Sequence, residues 1–150
     1  MIVKHSLAVM AFALIAAPVA ARAECTGPAL LVKVAGLKNR TGEVRVRAFG
    51  GDPSTYFDKH HVSAAIYKVP PPSGPVDYCL AVKPGVYAVD VRQDLDGDGK
   101  TSASDGVGAS GNPQLSLFDI LFKRRPPAVQ VQVRVGQGVT PVSITVRYRG

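Results

Sequence analysis

The sequence predicts an all-β fold, a single antiparallel β-sandwich of about seven strands, of the immunoglobulin or transthyretin kind. Three observations carry that prediction. Segments rich in β-branched residues alternate apolar with polar side chains. Short stretches containing Gly and Pro separate them. No segment sustains the 3.6-residue period of an amphipathic helix.

The strands follow in order. Leu30 to Leu37 is the first. Glu43 to Phe49 (EVRVRAF) sends Val44, Val46 and Ala48 to one side and Glu43, Arg45 and Arg47 to the other. Successive side chains of a strand point to opposite faces, so such a segment buries one face and wets the other. Ala65 to Val69, Val76 to Val82 and Val86 to Arg92 come next. Val129 to Val135 (VQVQVRV) sets its valines against Gln130, Gln132 and Arg134. Pro141 to Arg149 sets Val142, Ile144, Val146 and Tyr148 against Ser143, Thr145, Arg147 and Arg149. Turns are expected at Asn39 to Gly42, Pro70 to Gly74, Lys83 to Gly85 and Gly136 to Gly138, where Gly and Pro supply the backbone angles. Ser116 to Lys123 (SLFDILFK) has the pattern of a short helical turn.

The N-terminus reads as an address rather than as structure. Lys4 and His5 precede an uncharged apolar run, Leu7 to Ala17, which Pro18 interrupts before Ala21-Arg22-Ala23. That order is a signal peptide over residues 1–23 with an A-x-A cleavage site, leaving one domain over residues 24–150. The run is shorter than the roughly 20 apolar residues of a membrane span. The expectation is an exported protein, periplasmic or extracellular, with no transmembrane segment in the mature chain. Cys25 and Cys79 are then expected to form a disulfide, because an oxidising compartment pairs such cysteines and their spacing lacks the C-x-x-C of a redox or metal site.

The full chain carries a net charge of +7, and loss of Lys4 and Arg22 with the leader takes it to +5. The charge is spread out, with its tightest cluster at Lys123-Arg124-Arg125. A basic balance suits an anionic cell-envelope surface or another envelope protein as partner. Nucleic acid is excluded as a partner by export and by the lack of aromatic-basic interleaving.

The one chemically specific stretch is QDLDGDGKTSASDG, from Gln93 to Gly106. Counted from Asp94, it places Asp94, Asp96 and Asp98 at positions 1, 3 and 5 of a calcium loop and Gly99 at 6. The Lys100 carbonyl falls at 7, Ser102 at 9 and Asp105 at 12. Alternate carboxylates fold inward on one hard cation, and the glycine permits the sharp turn between them. Asp105 is one methylene shorter than the usual Glu, Thr101 replaces an apolar residue, and a strand rather than a helix precedes the loop. Two other readings stand beside calcium. One is a solvated acidic turn. The other is a phosphatase-like hydrolase, with Asp94 as nucleophile and Asp96 as general acid, although no βα units follow. His60-His61 are adjacent and point apart, so a shared metal is not expected. Gly108-Ala109-Ser110-Gly111 resembles a nucleophile elbow but has Asn112 where G-x-S-x-G needs Gly; loop residues are expected there.

These stretches together resemble a bacterial family of small exported proteins, the domain of unknown function DUF2141. The resemblance runs from Gly36-Leu37 and Gly42 to Val46, through Pro84 to Lys100 (PGVYAVDVRQDLDGDGK), to Asp105 to Leu117 (DGVGASGNPQLSL) and a terminal strand ending in an aromatic. It implies a β-sandwich and export; it implies no chemistry, because the family has no established activity. Family members often carry His before the loop aspartate, where this chain has Gln93, so no role for that histidine transfers. The P-G-x-Y strand is also similar to transthyretin-like and collagen-adhesin B-type modules, which are accessory or stalk domains. The combined expectation is a non-enzymatic structural or binding module with a calcium-stabilised loop.

Overall fold

An alternating strand leaves one apolar face unburied, and two sheets of such strands stacked face to face bury both. The computed structural model, which describes residues 24–38, 42–68, 75–114, 119 and 124–149, has this architecture. The expected signal peptide, Asn39 to Thr41, Pro70 to Gly74 and most of Ser116 to Lys123 lie outside the described residues. The strands are β1 (Ala29–Ala35), β2 (Glu43–Gly50), β3 (Ser63–Lys68), β4 (Val76–Ala81) and β5 (Gly85–Asp94), then β6 (Gly106–Ala109), β7 (Val133–Val135) and β8 (Val139–Thr145). A 3-10 turn (Pro53–Thr55) and a four-residue helix, α1 (Ala128–Val131), also stand among the described residues.

One sheet runs β4-β1-β8 and the other β3-β2-β5-β6, with β7 also on β5. Every pairing is antiparallel except β1 with β8, which lie parallel in register from Ala29↔Val139 to Ala35↔Thr145. The core is the set of inward positions: Leu30, Val32 and Val34 from β1, Val44, Val46 and Ala48 from β2, Val89 and Val91 from β5, with Val142, Ile144 and Val146 from the end of the chain. Each such aliphatic side chain contributes about 1.5–3 kcal/mol when fully buried. Glu43, Arg45 and Arg47 face outward, as the alternation predicts. The Cys25–Cys79 disulfide joins the segment before β1 to its neighbour β4, with Cα atoms 5.5 Å apart.

Two elements differ from the sequence expectation. Gly106–Ala109 is a strand, and Val129 to Val135 is not one strand but α1 followed by β7. Val129 is 84% exposed rather than inward. The cause lies in β5, which is long enough to seat two partners end to end: β6 along Asp90–Gln93 and β7 along Gly85–Tyr87. Between them Ser110 takes the place of a strand. Its amide donates to the Val89 carbonyl (2.8 Å), and its hydroxyl accepts from the Val89 amide (3.0 Å) and donates to the Val131 carbonyl. With that position of β5 satisfied, residues 128–131 have no ladder to join and close a helical turn after Pro127.

The outer face of the five-stranded sheet is partly covered. Phe49 and Ala88 pack with Tyr56 and Val131 in a second small cluster. On the same face, across β2 and β5, lie Arg47, Asp90 and Arg92, next to the loop that leaves β5 at Asp94.

Candidate metal centre

The loop begins where β5 leaves the sheet. Gln93 and Asp94 are both buried, and β6 returns at Gly106, paired with Gln93. Protein groups close this base completely. Gln93 Nε2 donates to the Lys38 carbonyl (2.8 Å), and its Oε1 accepts from the Lys38 amide (3.0 Å) and from the Tyr148 hydroxyl. Burial pushes the Tyr148 hydroxyl above its ordinary pKa, against a smaller opposing pull from the Lys38 amide. Asp105, also buried, accepts the Leu95 amide on Oδ1 (3.1 Å) and the Ser102 amide on Oδ2 (2.7 Å). A buried carboxylate holding two backbone donors acts as a clasp between the two ends of the loop.

At the tip, the carboxylates of Asp94, Asp96 and Asp98 each offer an oxygen, and these lie within 4.8 Å of one another. Backbone geometry gathers them. Gly97 and Gly99 adopt φ of +71° and +78°, in the left-handed region that glycine enters at little cost. Their amides turn onto Asp94, Gly97 N–H to Oδ1 and Gly99 N–H to Oδ2, each at 2.8 Å. The Asp98 amide donates to Asp96 (3.2 Å) and the Lys100 amide to Asp98 (2.7 Å).

The adjoining carboxyls of Asp94 and Asp96 do not ionise independently. Burial works to raise the Asp94 carboxyl, yet the amides of Gly99 and Gly97, the neighbouring Asp96 carboxyl and Arg92 together hold it below the ordinary range. For Asp96 the Asp98 amide pulls downward, but the adjoining Asp94 carboxyl and the charges of Asp98 and Asp94 leave it raised. Arg92 is the main cation of the site. Its Nη2 donates to the Gly99 carbonyl (3.0 Å) and lies 3.5 Å from Asp94 Oδ2, and its Nη1 donates to the Thr101 hydroxyl.

The predicted ligand set is therefore divided. Asp94, Asp96 and Asp98 come together; Asp105 stands outside that cluster, at the loop base, where its oxygens accept the Leu95 and Ser102 amides. Lys100 supplies an amide to Asp98, and the Ser102 hydroxyl lies against that of Ser104 at 2.8 Å. His60 and His61 are exposed, with the His61 ring edge-on to Phe49 at 6.4 Å. Ser110 is fully buried in its structural role, and a Cβ on Gly111 would lie 1.9 Å from the Gln130 carbonyl oxygen. The G-A-S-G stretch is therefore a packing device that only glycine permits at its last position. Sequence reasoning missed Gln93 and Arg92; Arg92 was signalled only by its outward place on β5.

The family model described as an uncharacterized protein conserved in bacteria (DUF2141) matches residues 32–143. The chain belongs to this family. The DUF2141 match begins within β1 and ends within β8, so it takes in both sheets and the whole aspartate loop. No curated protein and no solved structure matches the chain. At the position before the loop aspartate, this DUF2141 chain uses Gln93 as a buried rivet between Lys38 and Tyr148.

The donor set fits a hard cation. It offers oxygens alone, and carboxylate oxygens engaged by one amide retain lone pairs for a metal. Asp94, Asp96 and Asp98 would hold the ion, which would cancel the repulsion that separates the titrations of Asp94 and Asp96.

Proposed function

We propose that this DUF2141 chain is an exported, non-catalytic β-sandwich module with a structural or binding role in the cell envelope, its aspartate loop held by one calcium ion. The observation that carries the reading is the convergence of Asp94, Asp96 and Asp98 at the end of a rigid strand. The disulfide between Cys25 and Cys79 supports an oxidising compartment. Among the described residues no helix is long and apolar enough to cross a membrane. Three carboxylates with exposed Asp96 and Asp98 favour weak binding, near the roughly 10⁻⁴–10⁻³ M of extracellular modules. The ion would then stiffen the loop rather than drive folding.

Calcium titration with thermal melting tests this, together with native mass spectrometry of the mature protein with and without chelator. Millimolar calcium is expected to raise the melting temperature and to add the mass of one ion. An unchanged melting temperature, or an equal rise in Asp96→Ala, leaves only an acidic turn. The competing reading is a hydrolase using Asp94 and Asp96, and the divergent titration of the pair is what favours it. Against it, both Asp94 oxygens already accept loop amides, which lowers their nucleophilicity. Turnover of phosphate or ester substrates, abolished by Asp94→Asn, would replace the leading proposal with this one.

A further inference from the structure

Beside the aspartate loop, on the outer face of the five-stranded sheet, is a cleft of about 260 Å³. Four arginines and three aspartates line it, and Asp94, the partner of Arg92, adjoins it. The pairings show which arginine keeps its charge free. Arg47 grips Asp90, with Nε to Oδ1 at 2.9 Å and a second contact from Nη2 to Oδ2, and Arg125 lies 3.3 Å from Asp58. Arg92 is shared with Asp94 at 3.5 Å and keeps a buried Nε without a hydrogen-bond acceptor. Arg124, exposed at the rim, has no carboxylate partner among the described residues. The rest of the lining is largely apolar, with Phe57, Val107 and Pro126 at its walls.

We propose that this cleft binds a small organic monocarboxylate, its carboxylate on Arg124 and Arg92 and its apolar body against Phe57, Val107 and Pro126. One arginine without a carboxylate partner among the described residues, Arg124, matches a monoanion. With Arg47 held by Asp90 and Arg125 by Asp58, the described lining offers no second free cation for the second charge of a phosphate. The volume lies at the small end of ligand pockets, which limits the body to a ring or a short chain. Arginine suits the task because its planar fork meets both carboxylate oxygens at once. The cleft adjoins the candidate metal site through Arg92, which lies 3.5 Å from Asp94, while none of its contacts involves Asp96 or Asp98.

The test is a titration of the ¹⁵N-labelled, disulfide-bonded protein with benzoate, its neutral isostere benzamide, and inorganic phosphate. Concentrations up to about 20 mM reach the weak end of measurable affinity. Saturable shifts of the Thr101, Val107 and Gly108 amides with benzoate, and none with benzamide, are expected. Arg124→Gln should weaken benzoate about tenfold, the effect of losing one charge-assisted contact, and Arg124→Lys should weaken it less. Arg124 is exposed, so neither variant endangers the fold. No saturable shift with benzoate, equal response to benzamide, tighter phosphate binding, or an unchanged affinity in Arg124→Gln would each overturn the proposal.

Discussion

The base and the tip of the aspartate loop contain the same chemical group and use it in opposite ways. Asp105 at the base is buried and meets two backbone amides, and Gln93 beside it is saturated by Lys38 and Tyr148. Asp96 and Asp98 at the tip are exposed, each accepts one neighbouring amide, and they crowd each other and Asp94. Asp94 belongs to both regions, since it is buried like the base and converges with the tip. The difference teaches that the loop is anchored by the protein's own donors, while its far end keeps unspent negative charge. Folding relies on the first arrangement, and cation binding would draw on the second.

The largest expected effect sets a scale for that division. Cys79→Ser removes a disulfide remote from the loop and should lower stability by about 2–5 kcal/mol in urea unfolding. It should leave any calcium-dependent increment intact. Loss of the increment in this variant would mean that the tip is not independent of the rest of the fold. Asp105→Ala comes next. It strands the Leu95 and Ser102 amides, and a stranded donor costs about 1–3 kcal/mol, so a loss of roughly 2–4 kcal/mol is expected with or without calcium. A loss smaller than about 1 kcal/mol would erase the distinction between base and tip.

Acid separates the regions more finely. The Asp94 carboxyl is held below its ordinary value, so its stabilisation is complete above the unfolded value near about 3.9. It is lost as pH falls through the depressed folded value. Asp94→Asn should therefore trail the wild type at neutral pH and converge with it in strong acid; a constant gap down to acid would contradict the assignment. The smallest effect belongs to the tip. Without calcium, Asp96→Ala should lie within about 0.5 kcal/mol of the wild type, as exposed substitutions do. With calcium at about ten times its dissociation constant, the wild type alone should gain about 1.4 kcal/mol. Protons compete for Asp96, whose pKa is raised, so that gain should fade as pH drops into the carboxylate range.

What the sequence determined by itself was whatever repeats over a short distance. Period-two alternation placed Val44, Val46 and Ala48, and later Val142, Ile144 and Val146, on the inner faces, because a strand's pleat turns sequence parity into side. The i, i+2 spacing of Asp94, Asp96 and Asp98, with glycines between, likewise anticipated their convergence, since one tight turn suffices to bring them together. Tertiary structure alone decided the rest. β6 is four residues with two glycines and carries little strand signal; it exists because β5 offers it a ladder. The alternating valines of residues 129–135 failed to make one strand because Ser110 had already filled the place on β5. Asp105 has the spacing of a metal ligand, yet the fold sets it at the loop base, on the amides of Leu95 and Ser102 and outside the cluster of the other three. Gln93 depends on groups 55 residues away on either side, and the arginine cleft draws Arg47, Arg92 and Arg124 from separate segments. A hydrogen bond or a charge is satisfied by what is near in space, and for these residues nearness was set by the sheets and not by the order of the chain.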